Sequence, residues 1–69
     1  MKNNLYDIKK KLILMMKARG LDKDGCICGM LILETEENFV AMTKWLEDNP
    51  DIVGQEVFES LYKMYRSEE

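Results

Sequence analysis

Histidine is absent from this chain, and with it go the commonest general base and the commonest metal ligand, hence most hydrolase and metalloenzyme chemistry. There is no glycine-rich phosphate loop and no dinucleotide fingerprint. A serine nucleophile would have to be Ser60 or Ser67, neither of which stands in a motif. Apolar runs are short: the longest, Cys26 to Leu33, falls far below the ~20 residues of a membrane span. The earlier run Leu12 to Met16 is followed by Lys17 and Arg19 rather than by a small-residue cleavage site. No membrane association is expected, and a cytoplasmic location follows by default. Cysteine is scarce too. Cys26 and Cys28 are separated by one residue, too close to close a useful disulfide loop, which suggests a reducing compartment.

What the chain does have is apolar surface and segregated charge. With 46% hydrophobic and 33% charged residues it can bury a core, so it is globular rather than disordered. At 69 residues it is one domain, 1–69, near the lower limit for a single core without a disulfide, a metal or a second subunit. Only 1–3 and 67–69 are expected to be loose. From Met1 to Lys23 seven cations stand against Asp7 and Asp22, a balance of +5, while the remainder stands at −8, giving −3 for the whole. A basic amphipathic segment ahead of an acidic body can close onto that body, pair with a second copy or meet an outside partner.

Gly20, Asp24-Gly25, Thr35 and Asn49-Pro50-Asp51 divide the chain into four segments. The first, about Asn4 to Arg19, sets Leu5, Ile8, Leu12, Met15 and Met16 on one helical stripe and ends at Gly20, the left-handed residue that commonly closes a helix. Leu14 lies opposite that stripe among Lys10, Lys11 and Lys17. The second segment, Gly25 to Glu34, is apolar almost all round. A lone strand would have no partner, so a short buried helix capped by Asp24 is expected. Thr35 caps the third, with Glu36 and Glu37 in its first turn and Phe39, Met42, Thr43 and Leu46 on one stripe; it should stop near Asp48, ahead of Pro50. The fourth begins between Asp51 and Gln55 and runs to about Arg66, with Val53, Val57, Leu61 and Met64 on its stripe and Phe58, Tyr62 and Tyr65 beside it. The fold class is therefore all-α: a small bundle of three longer helices plus one short buried helix.

Three motifs invite chemistry. Cys26-Ile-Cys28 would support thiol-redox or metal handling, but two thiolates cannot complete a tetrahedral zinc site alone, and both cysteines are expected to be packing residues. Asp22-Lys23-Asp24-Gly25 opens like a calcium loop, yet the required glycine and closing glutamate fall on apolar residues; a turn and a cap explain the same letters. The second and third segments are spaced like a helix–turn–helix. Its recognition helix would present Glu36, Glu37, Glu47 and Asp48 with Lys44 alone, a surface that repels DNA. The methionines at 15, 42 and 64 read as gap-fillers of a small core.

Asp22-Lys23-Asp24, Gly29, Thr35-Glu36-Glu37, Met42, Trp45-Leu46 and Asn49-Pro50 resemble short uncharacterised helical proteins of bacteria and their phages or other mobile elements. The resemblance covers the middle of the chain and implies an all-helical fold and an accessory role that works by contact; it assigns no functional residue.

These observations favour a non-catalytic protein–protein interaction module, a small inhibitor or adaptor, with no cofactor and no metal. Candidate contact residues are Leu14, Trp45, Phe58, Tyr62 and Tyr65, and Lys9, Lys10, Lys11 and Lys17 form a candidate basic face. The partner is another protein or a second copy in a homodimer; nucleic acid is not expected. The rival readings are a small DNA-associated regulator using the basic first helix, and a thiol-redox or metal-handling protein using Cys26 and Cys28.

Overall fold

A computed structural model describes residues 5–66, so the ends expected to be loose, 1–3 and 67–69, lie outside the described residues. Four α-helices follow one another: α1 Leu5–Ala18, α2 Lys23–Leu33, α3 Glu36–Asp48 and α4 Gln55–Arg66. No strand occurs among the described residues. α1 packs chiefly on α3, and α2 chiefly on α4, with α1 also touching α2. The core where these pairs meet consists of Leu12, Met16, Cys26, Leu33, Phe39, Met42, Leu46, Val57 and Leu61.

The helix ends follow from local chemistry. Gly20, at φ +104°, closes α1 in a Schellman turn, its own N–H donating to the Lys17 carbonyl while the Leu21 N–H reaches that of Met16. Asp22, not Asp24, caps α2: its extended backbone lets its carboxylate accept from the Gly25 N–H at 2.7 Å. Asp24 sits instead inside the first turn, where the helix dipole favours a carboxylate. Thr35 caps α3 through the Asn38 N–H, and α3 stops at Asp48, ahead of Pro50.

Its C-terminus is acidic, Glu47-Asp48, and carries no basic residue in the last turn, the wrong sign for the dipole. The compensating cation arrives from another helix end. Arg19 donates to the carbonyls of Leu46 at 2.6 Å, Asn49 at 2.8 Å and Ile52 at 2.9 Å, and its own carbonyl accepts from the Gly54 N–H. A planar guanidinium fork suits several carbonyls at once.

α2 departs from the short buried helix expected. Its 11 residues compare with 12 in α4, and Ile27 and Leu31 are 48% and 68% exposed. The inward face is set by Gly29, where an added Cβ would lie 3.2 Å from both the Leu61 Cδ1 and the Met16 Cε. Close approach at Gly29 turns Cys26, Gly29 and Leu33 inward and leaves the opposite face outside. Three stripe positions also differ from expectation. Leu5 and Met64 are exposed, because each stands in a terminal turn, and Val53 is exposed in the connection before α4.

Candidate functional site

The outward face of α2 and the adjoining face of α1 border an open groove of about 720 Å³. From α1 come Lys9, Ile13 and Lys17, spaced four apart on one stripe. From α2 and its end come Lys23, Cys26, Ile27, Met30, Leu31 and Glu34, and Phe39 closes the hollow from α3. Buried Cys26 and Phe39 form the floor, half-buried Ile13 and Met30 the walls, and Ile27 and Leu31 remain open to solvent. The Lys9 ammonium lies 5.5 Å from the centre of the Phe39 ring, within cation–π range.

The far end of the groove is strained. Glu34 has φ 69° and ψ −48°, and the Thr35 N–H donates back to the Leu33 carbonyl at 2.7 Å, the geometry of a classic γ-turn that side-chain-bearing residues rarely adopt. A second donor, the Asn38 amide at 2.7 Å, holds that same carbonyl. The turn swings Glu34 to the groove rim while α3 starts at once.

One thiol, that of Cys26, belongs to the groove. Burial pushes the Cys26 thiol above its ordinary value, Lys17 opposes the shift and Asp22 adds to it, so the thiol stays protonated at neutral pH. Cys28 is exposed and lines a different hollow with Asp22, Gly25, Gly54 and Phe58. The packing role expected of both cysteines therefore fits Cys26 and not Cys28. Among the described residues no group of three His, Cys, Asp or Glu side chains could hold a metal ion.

The residues singled out from sequence are not gathered into one place. Leu14, 57% exposed, sits over a shallow hollow with Asp7, Lys10, Lys11, Met15 and Ala18. Trp45 and Tyr65 pack against the core, and burial raises the Tyr65 phenol. Phe58 stacks on Tyr62 with ring centres 6.2 Å apart. The basic face divides: Lys9 and Lys17 border the groove, while Lys10 and Lys11 face the Leu14 side and Lys11 pairs with Glu47 at 3.1 Å. Sequence reasoning missed Ile13, Lys23, Ile27, Met30 and Leu31. The available signal was the pair Ile27 and Leu31, four apart, between Lys23 and Glu34. No helix among the described residues is long and apolar enough to cross a membrane. Compared with known proteins, the chain matches no family model, no curated protein and no solved structure.

Proposed function

We propose that the protein is a non-catalytic interaction module, a small inhibitor or adaptor of phage or mobile-element type, with the α1–α2 groove as its contact surface. One observation carries this reading: two large aliphatic side chains, Ile27 and Leu31, stand exposed side by side over a hollow already walled by Ile13 and Met30. Single exposed apolar residues are ordinary, whereas a contiguous apolar hollow with a charged rim is the form of a protein-binding site. Two free thiols suit a reducing, cytoplasmic setting.

The DNA-regulator reading draws less support. Arg19 is engaged by three carbonyls and Lys11 by Glu47, and the lysines of α1 point to two different sides. A photo-crosslinking amino acid placed in turn at Leu31, Leu14 and Tyr62, in the source cell, tests the interaction reading. A discrete protein adduct from position 31 is expected. Adducts confined to positions 14 or 62 would move the contact surface, and none from any position would sink the module.

A further inference from the structure

We infer that the occupant of the α1–α2 groove is an acidic amphipathic helix of about three turns on a foreign protein, an inference that rests on the interaction-module reading above. Shape comes first. Between Lys9 and Lys17 α1 advances roughly 12 Å, and between Lys23 and Glu34 α2 advances roughly 16 Å, at about 1.5 Å per residue. That length matches the i, i+4, i+7 anchors of a helix lying in an apolar trough, the helix-in-groove mode of recognition. Ile13, Met30, Ile27 and Leu31 offer the trough such anchors need.

Charge decides the kind of helix. The rim carries the ammonium groups of Lys9, Lys17 and Lys23 against the single carboxylate of Glu34. Lys17 and Lys23 flank the α1–α2 connection, so positive charge concentrates at that end. Neither of the ion pairs Lys11–Glu47 and Lys44–Asp48 draws on these lysines. Carboxylates along the flanks of the incoming helix would meet them, whereas a basic helix would face like charge.

A second copy of this chain fits less well. The apolar stripes of α1, α3 and α4 are already spent on the core, through Leu12 and Met16, Phe39, Met42 and Leu46, and Val57 and Leu61. The exposed end of α4, around Tyr62 and Met64, sets Lys63 and Arg66 against the single carboxylate of Glu59, so it does not present the acidic flanks that the groove rim would attract.

The test uses the full chain with labelled Ile, Leu and Met methyl groups and two synthetic helical peptides of about 14 residues, both with leucines at i, i+4, i+7 and i+11, one with glutamates on its flanks and the other with lysines. The glutamate peptide is expected to shift the methyls of Ile13, Ile27, Met30 and Leu31, with affinity falling as salt rises, and to bind on the order of tenfold more tightly than the lysine peptide. In the variant Lys9→Glu/Lys17→Glu/Lys23→Glu that order is expected to reverse. Lys23→Glu alone, which adds a carboxylate where the α2 dipole favours one, should weaken the glutamate peptide without disturbing the fold.

Equal binding of both peptides would overturn the acidic partner while leaving the module intact. Methyl shifts at Leu14 alone, or no binding of either peptide, would overturn docking in the groove. Concentration-dependent shifts of the four groove residues without peptide would put a second copy there and overturn the foreign helix. The crosslinking result at position 31 stands independently of all three.

Discussion

α2 and α4 pack against each other from opposite compositions. α4 is the more amphipathic, buries Val57 and Leu61, and turns Glu56, Glu59, Lys63 and Arg66 to solvent. α2 has no charge between Asp24 and Glu34, yet it buries only Cys26, Gly29 and Leu33 and exposes Ile27 and Leu31. Had apolar burial been the sole demand, α2 would have rolled its larger side chains inward. Cys26 and Gly29 face the neighbours at mid-helix instead, which brings the helix close there and keeps Ile27 and Leu31 outside. Composition sets how much apolar surface a segment has; side-chain size at the contact decides which part of it disappears.

The sharpest way to break this contrast is to make one truncation on each helix. Leu61→Ala should cost about 2–5 kcal/mol, comparable with the whole stability of so small a domain, and should leave much of the population unfolded at room temperature. Leu31→Ala removes the same atoms and should change the unfolding free energy read from a urea melt by no more than about 0.5 kcal/mol. Similar losses from the two would mean that the outward face of α2 is covered in the folded protein.

A Cβ branch at the α2–α4 contact comes next. Gly29→Val should destabilise by about 1–3 kcal/mol, since its branched side chain would press on the fully buried Leu61 and Met16. A midpoint equal to or above that of the parent would show that α2 can roll or withdraw freely.

Thiol labelling of the native protein separates the two sides of α2 itself. Cys28 should react promptly and Cys26 only on denaturation. Two fast thiols would indicate that α2 opens locally.

The smallest effect is alkaline. Cys26 on α2 and Tyr65 on α4 both hold their protons more tightly folded than at their ordinary values of 9.0 and 10.0. The unfolded chain therefore releases protons first, so the stability these groups contribute is fully present below about pH 9 and is lost as pH rises through the folded values. Urea midpoints at increasing pH should decline, and Cys26→Ala should delay the onset of that decline. A midpoint that rises above pH 9 would contradict the sign.

Much of the fold was legible because its signals are local. Gly20, Thr35 and Pro50 act on neighbouring backbone, and the stripes through Leu12 and Met16, Phe39 to Leu46, and Val57 and Leu61 repeat at helical spacing. Leu5 and Met64 continue those stripes into terminal turns, where periodicity persists but the neighbouring helix does not. The groove was hidden for a different reason: a segment apolar all round has no preferred face until its contacts choose one, and that choice depends on Leu61 and Met16 meeting Gly29. Arg19 was counted with the basic first segment because its partners lie 27 to 33 residues away.

Arg19 also bears on how this protein can vary. Its side chain holds the carbonyls of Leu46, Asn49 and Ile52 while its main chain holds Gly54, so the turn after α1 and the connection after α3 are bound as a single unit. Connecting segments ordinarily tolerate insertions; an insertion between the tethered positions of either of these would pull against the Arg19 contacts. None of those residues lines the groove. Heritable change is thus confined in one half of the molecule and open in the other. The outward positions of α2 can drift residue by residue while the clasp keeps the scaffold constant.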